Sequence, residues 1–344
     1  MSLHEHGCFS DSYQVKHINA HEIRVGDCLD ALRAMPDQSF HCCITSPPYF
    51  GLRDYGMPGQ IGLEQTPAEF VSRLVEVFRE VRRRVLRDDG TLWLNIGDSY
   101  ASTAPGTRNA PQPKGSKENP EQWGNFRPDL REYGIKPKDM IGIPWRLAFA
   151  LQDDGWYLRQ DIIWHKPNPM PESVRDRCTK AHEYVFMLSK SPRYYYDHEA
   201  VKEDAVSDHP SGNGFKRDER ESYKNLDGTA RGNDEQWTGV GGKRNRRSVW
   251  TVPTAGFKGA HFATFPPDLI RPCVLAGAPR GGLVLDPFGG AGTTGLVAMQ
   301  EGRRSVLIEL NPEYAAIARS RLDTAWLEGA AQLDLLYDQK ESVA

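Results

Sequence analysis

Short apolar runs alternate with stretches of helical spacing along most of this chain. "HEIRV" (21–25), "FHCCIT" (40–45), "TLWLNI" (91–96), "YLRQDIIW" (157–164), "HEYVFMLS" (182–189), "GGLVLD" (281–286) and "RSVLIEL" (304–310) have the length and side-chain types of strands. "LDALRAM" (29–35), "IPWRLAFALQ" (143–152), "TTGLVAMQEG" (293–302) and "NPEYAAIARSRL" (311–322) have the spacing of helices. The clearest helix lies over 66–86, "TPAEFVSRLVEVFREVRRRVL". Thr66 is placed as its N-cap, Pro67 in its first turn, and Glu69 completes a capping box. Phe70, Leu74, Val77, Val81 and Val85 give it one apolar stripe. Asp89-Gly90 then reads as the end of the connection to the next strand.

Strand–helix alternation of this kind predicts an α/β fold, a mainly parallel sheet with helices on both faces. Ligands of such sheets bind beyond the carboxyl ends of the strands. Two segments fall on that edge, Ser46–Tyr49 after one strand and Asp286–Gly292 after another.

Three polar stretches interrupt the pattern. Residues 1–20 lack periodicity. Residues 101–138 are rich in Pro, Gly and Asn and form a long loop, which inside a domain is commonly functional or disordered. Residues 198–250 are polar and Gly-rich, ending in the basic cluster "GGKRNRR" (241–247). Composition fits a real core beside such segments, with 39% hydrophobic and 26% charged residues among 344. The net charge of −3 does not announce a nucleic-acid binder, so any phosphate contact must come from a local patch. Six cysteines without a CxxC pair read as reduced thiols of a cytosolic protein. No apolar run has membrane-spanning length, and the first residues carry no signal-peptide core, so a cytoplasmic location is expected.

"LVLDPFGGAGTTG" (283–295) leaves a strand and opens a helix. Gly289, Gly290 and Gly292 allow close approach of backbone to a ligand. The bland alternative is a tight turn and nothing more. A Walker A loop is excluded because no Lys-Ser/Thr follows Gly292. The dinucleotide pattern GxGxxG fits by letter, yet Asp286 at the strand end would repel a pyrophosphate. It suits a cationic ligand instead. Glu309, about 20 residues on at the end of the next strand, stands where an acidic residue commonly binds ribose hydroxyls. With Phe288 beside them, these residues favour an adenosine ligand without phosphates.

"TSPPY" (45–49) and "DPFGGAG" (286–292), in that order and separated by a long variable region, resemble the amino-group DNA methyltransferases of the beta permutation. The likeness covers roughly 21–196 and 261–320. It implies a Rossmann-like methyltransferase sheet of about seven mostly parallel strands, one of them antiparallel, and S-adenosyl-L-methionine as cofactor. It divides the chain into a catalytic part (21–197, with a mobile loop at 101–138), an irregular target-recognition region (198–250) and a cofactor-binding part (251–328). "HFATFP" (261–266) resembles a second cofactor element, with Phe265 and Pro266. Asp27 resembles the acidic position that meets the adenine ring. Asp286, Phe288, Gly290, Gly292, Thr293, Glu309 and Asn311 complete the implied cofactor site. Ala291 stands where the family usually has Ser or Thr between the glycines.

The resemblance makes Ser46, Pro47, Pro48 and Tyr49 the catalytic group. An exocyclic amine is a poor nucleophile because its lone pair is delocalised into the ring. The Ser46 hydroxyl and the Pro47 carbonyl are acceptors that draw its hydrogens out of plane. Pro47 and Pro48 preset that geometry. Tyr49 stacks on a base that has left the duplex, contributing about 1–3 kcal/mol against a flipping cost of a few kcal/mol. The methyl group passes in line from sulfonium to nitrogen, without a cysteine nucleophile and without a metal. In the family, Ser at the first position goes mostly with N4-cytosine and Asp with N6-adenine. Cytosine is therefore favoured, with N6-adenine as the alternative. RNA and protein N-methyltransferases usually place the cofactor motif first, and a non-catalytic DNA-binding subunit would not need intact motifs.

Double-stranded DNA is the implied partner, with a cognate restriction endonuclease as an optional one; monomer and homodimer both stay open. "IIWHKPNPMP" (162–171) matches a family element near the flipped base, with Lys166 for a phosphate and Asn168 for base or backbone. Lys243, Arg244, Arg246 and Arg247 are the cations expected to neutralise phosphates or read guanine edges. Asp98 in "NIGDSY" either approaches the pocket or caps the following turn.

Overall fold

The computed structural model describes residues 21–52, 54–101, 129–204, 243–254 and 265–341. Most of the 101–138 loop, the middle of the 198–250 region and the start of "HFATFP" lie outside these residues. The chain runs β1 (His21–Val25), α1 (Cys28–Arg33), β2 (Phe40–Thr45), α2 (Pro67–Glu80), β3 (Leu86–Ile96), α3 (Ile143–Asp153), β4 (Tyr157–His165) and β5 (His182–Ser189). Then come β6 (Glu203–Asp204), β7 (Lys243–Arg244), β8 (Val249–Thr251), α4 (Pro267–Gly277), β9 (Leu283–Asp286), α5 (Thr293–Gln300), β10 (Arg304–Glu309) and α6 (Pro312–Glu341).

Eight strands form one sheet in the order β1-β10-β9-β2-β3-β5-β4-β8, and β6 pairs with β7 apart from it. Only β5 runs against its neighbours in the large sheet. The single antiparallel strand is as expected, whereas the count is eight rather than about seven. The additional strand is β8, paired parallel to β4 through Ile163↔Val249 and Trp164↔Trp250. With three residues and an exposed Val249, it has too short a pattern to stand out in sequence. Its Trp250, like Val201, is buried in the main core. Residues near both ends of the 198–250 region, Val201 and Trp250, therefore pack against the body of the fold.

Period-2 alternation sorts the central strands onto two faces. Cys43, Leu92, Leu94, Leu283 and Leu285 pack with α1, α2 and α3, while Cys42, Ile44, Trp93 and Val284 pack with α4 and α5. The α2 stripe Phe70, Leu74, Val77, Val81 and Val85 is fully buried. Its capping box is present: Glu69 N–H donates to Thr66 Oγ1 at 3.1 Å, and Thr66 N–H donates to the Glu69 carboxylate at 3.2 Å. The helix ends at Glu80 and is followed by one wider turn, Val81–Val85, which keeps both valines buried.

Asp89-Gly90 does not end a connection. It lies within β3, where the pairing with β2 jumps from Phe40↔Leu86 to Cys42↔Thr91. The extra residues make a bulge, and its backbone is bonded from outside the β2 pairing: Lys190 N–H donates to Gly90 O and Tyr195 N–H to Asp89 O. Among the described residues no helix is long and apolar enough to cross a membrane.

Candidate active site and cofactor cavity

β2 and β9 are direct neighbours, paired through Cys42↔Val284 and Cys43↔Leu285. This pairing sets Ser46–Tyr49 beside Asp286–Gly292, although they lie far apart in the chain. One cavity, open to solvent, spans both segments. Ser46, Pro47, Pro48 and Tyr49 line it together with Asp27, Phe265, Asp286, Phe288, Gly290, Thr293, Glu309 and Asn311. Gly292 and Pro266 are not in its wall. Gly292 precedes α5 with φ +79, and Pro266 is the residue before α4.

Among the described residues no lysine or arginine lines the cavity, while three carboxylates do. The three carboxylates fit a nucleoside with a positive charge better than a phosphate-rich ligand. Glu309 is mostly buried. Its two oxygens accept from Gly290 N–H at 2.8 Å and Asn311 N–H at 2.9 Å, and burial raises its pKa above the ordinary carboxylate value. Such a carboxylate, short of water, gains from hydroxyl donors such as those of a ribose. Asp27 caps α1, accepting from Leu29 N–H at 2.9 Å and Asp30 N–H at 3.1 Å through one oxygen. Gly26 N–H donates to Glu309 O at 2.9 Å, so the ends of β1 and β10 meet as expected.

The Asp286 carboxylate, expected to suit a cationic ligand, is held by the chain's own donors. It is 1% exposed and accepts from the Thr45 hydroxyl (2.6 Å), the Thr294 hydroxyl (2.6 Å) and Phe288 N–H (3.0 Å). It braces β2 against the glycine loop and acts on the cavity through its charge. Burial raises its pKa from 3.8 to about 6. A raised acid favours folding in its protonated form. That contribution is complete below pH 4 and is lost as pH rises through 6. Wild-type stability should therefore fall between pH 4 and pH 7 by up to about 3 kcal/mol relative to Asp286→Asn, which lacks the titration. Parallel urea melts of both proteins over that range measure the difference, and parallel pH profiles would refute it.

Residues outside the motifs also shape the site. Arg321 on α6 donates to Ala291 O and Thr293 Oγ1, both at 3.0 Å, tying the glycine loop down from behind. Tyr55 and Tyr314 meet edge to face at 6.1 Å in the cavity wall. Tyr49 donates its hydroxyl to Glu183 at 2.7 Å. The only sequence signal for Glu183 is a carboxylate at the mouth end of the apolar strand β5.

The residues expected to contact DNA mostly have partners within the chain. The Lys166 ammonium is paired with Glu183 and lies 4.2 Å from the Trp164 ring centroid, so it is held inward rather than presented to a phosphate. Asn168 clasps Thr254: Thr254 N–H donates to Asn168 Oδ1 at 2.9 Å, and Asn168 Nδ2 donates to Thr254 O at 3.2 Å. Arg244 and Arg247 share Glu203 at 2.9 Å each, and Arg246 lies over the Trp250 ring. Of the four cations in this cluster, only Lys243 has neither a carboxylate nor an aromatic partner among the described residues. Asp98 is a cap: it accepts from Gly142 N–H and Ile143 N–H at the start of α3, each at 3.0 Å. Burial pushes the Cys42 thiol to about 12 and Cys43 well above its ordinary value, so neither is a nucleophile.

Comparison with known proteins agrees with this geometry. A family model described as DNA methylase matches residues 40–320. The chain is 53% identical over 305 residues to the type II methyltransferase M.Cfr9I of Citrobacter freundii, covering 89% of this chain and 88% of that one. It is 49% identical over 301 residues to M.SmaI of Serratia marcescens, covering 88% and 90%. Among solved structures, the PvuII DNA methyltransferase (cytosine-N4-specific) superposes with TM-score 0.57 at 19% identity over 87% of both chains, a likeness of fold. TTHA0409 of Thermus thermophilus, solved with S-adenosyl-L-methionine, has TM-score 0.53 at 23% identity over 89% of this chain and 95% of that one. With the Ser-Pro-Pro-Tyr turn and the glycine loop sharing one cavity, the chain belongs to the DNA methylase family of N6/N4 amino methyltransferases and takes S-adenosyl-L-methionine as its cofactor.

Proposed function

We propose that the protein methylates the exocyclic N4 of a flipped cytosine in double-stranded DNA. The observation that carries this reading is Ser46 at the head of Ser-Pro-Pro-Tyr, in the wall of the cofactor cavity. S-adenosyl-L-methionine, when bound, supplies an electrophilic methyl group. Everything else is done by the chain. Ser46 Oγ and Pro47 O accept the two amine hydrogens and free the nitrogen lone pair. The two prolines hold those acceptors still, which lowers the entropic part of the barrier. Glu309 and Asp27 hold the nucleoside end of the cofactor, and the Asp286 charge favours its cationic end. Tyr49 offers a ring face to the extruded base.

We assign 21–197 and 251–328 to one methyltransferase domain and 198–250 to target recognition, with Lys243 its most available cation. The type II names of the relatives support a restriction–modification setting, in which a cognate endonuclease cuts unmethylated sites. The test is transfer of tritiated methyl to duplex DNA followed by nucleoside analysis. N4-methylcytosine is expected. Label in N6-methyladenine would transfer the reading to adenine, and label in 5-methylcytosine would overturn the mechanism.

A further inference from the structure

We propose that the loop between β4 and β5, residues 166–181, holds duplex DNA beside the catalytic turn, with Arg175 and Lys180 taking backbone phosphates. The inference rests on the reading that duplex DNA is the substrate and lies across the carboxyl edge of the sheet.

Strand direction places this loop. β5 runs antiparallel to both β3 and β4, so β4 points the same way as β2, β3 and β9. The end of β4 and the start of β5 therefore reach the edge where the Ser46–Tyr49 turn follows β2. His165↔His182 is the last pair of this hairpin, and Lys166 N–H donates to Ala181 O at 2.8 Å, closing the loop at its base. Glu183, which accepts the Tyr49 hydroxyl at 2.7 Å, follows Lys180 by three residues. An extended span of that length is at most about 11 Å, so Lys180 stands on the rim of the catalytic site.

The loop is stiff. Pro167, Pro169 and Pro171 restrict its backbone. Asn168 is clasped to Thr254 on one side. On the other, Lys138 Nζ meets Asp176 Oδ2 at 2.7 Å, and the Arg177 guanidinium lies 4.0 Å from the Tyr100 ring centroid. These contacts fasten the loop to the chain that follows β3 and precedes α3. A surface held in this way loses little freedom on binding.

The acids of the loop are engaged, and two of its cations are not. Glu172 accepts from Arg177 Nη1 at 2.7 Å and from Lys180 N–H at 3.3 Å, while Asp176 holds Lys138. Lys166 is paired with Glu183, and Arg177 with Glu172. That leaves Arg175, which is exposed, and Lys180, which is half-buried. Among the described residues neither side chain has an ion-pair partner.

A duplex needs such charges at this place. The chain carries a net charge of −3, and three carboxylates line the adjoining cavity, so phosphates approaching the site are repelled. Cations fixed on the rim offset that repulsion without entering the cavity, where they would oppose the sulfonium. A lysine ammonium answers to charge rather than to a base pattern. The contact is thus with the backbone, and it positions the duplex whatever its sequence.

The test uses the full chain and a fluorescently labelled duplex of mixed sequence, titrated between about 50 and 200 mM KCl. Arg175→Ala and Lys180→Ala should each weaken binding about 3- to 10-fold and lower the slope of log affinity against log salt by about 0.9, and the double variant by about 1.8. Arg175→Lys and Lys180→Arg keep the charge and should keep the wild-type slope. On plasmid DNA the double variant should raise KM while kcat stays within about twofold and cofactor affinity within about threefold, because a phosphate contact is made equally before and during transfer. Arg193→Ala is the control. Arg193 is likewise exposed and without an ion-pair partner among the described residues, but it follows β5 at the opposite edge of the sheet, and its loss should not change the slope. A wild-type slope in the double variant, an equal fall in Arg193→Ala, a charge-retaining variant that behaves like alanine, or a loss confined to kcat would each overturn the proposal. A wild-type protein that labels neither cytosine N4 nor adenine N6 in plasmid DNA would remove the functional reading itself. A wild type that methylates, beside a double variant with an unaltered salt slope, removes this proposal alone.

Discussion

Ser46→Ala is expected to slow methyl transfer by about 100- to 1000-fold and to leave cofactor affinity within about threefold. In the proposed mechanism the hydroxyl is one of two acceptors for the amine, and Pro47 O alone would leave one hydrogen of that amine without a partner. An unpaired donor in a desolvated pocket costs about 1–3 kcal/mol before the effect on the nitrogen lone pair is counted. The cofactor should be indifferent, because the glycine loop and the Glu309 carboxylate are positioned by β9, β10 and α6 rather than by Ser46. Single-turnover transfer beside calorimetric titration of S-adenosyl-L-methionine separates the two quantities. A rate within about tenfold of wild type would place the amine acceptors elsewhere.

The second large effect is Gly292→Ala. Its φ of +79 is left-handed, and an added Cβ would lie 3.0 Å from Ala318 Cβ and 3.2 Å from Ala318 Cα on α6. The strained backbone costs about 1–2 kcal/mol. Overpacking against a helix backbone adds about 1–3 kcal/mol. The expected loss is thus about 2–5 kcal/mol of stability, with weaker cofactor binding, since the glycine loop must move away from α6 to relieve the clash. Gly290→Ala is the control. Its φ is +50, but the nearest atom to a new Cβ is Phe288 O at 4.0 Å, so strain acts there without a clash. Urea melts that rank the two variants equally would contradict the packing described for Gly292.

The core strands and their helices are legible because each carries its own pattern. "FHCCIT" and "GGLVLD" read as buried strands, and the Thr66–Glu69 box marks a helix start without tertiary help. The site is legible where chemistry needs unusual residue types, as in Ser-Pro-Pro-Tyr and the glycine loop. Elsewhere the partner decides and the partner is remote. Lys166 looks like a phosphate ligand until Glu183, seventeen residues on in the chain, pairs with it across β4 and β5. Asp98 is ambiguous until α3 begins above it, forty-four residues later. The Asp88–Gly90 bulge has the residues of a turn. It stays in the ladder because the segment after β5 bonds to its backbone. β8 is too short to carry a period, and it exists because β4 offers an open edge.

The strand order has a consequence for how the protein comes into being. Between β1 and β2, the first two strands among the described residues, lie β9 and β10, the last two. A growing chain therefore exposes unpaired edges on both early strands until residues 283–309 have left the ribosome. Contacts this distant in sequence close slowly, because the entropy of a very long loop is lost before any pairing repays it. The cavity takes in residues from both halves, so it forms in the same late event. Methylating activity should appear all at once when synthesis is complete, and chains cut short before β9 should be inert and prone to aggregate.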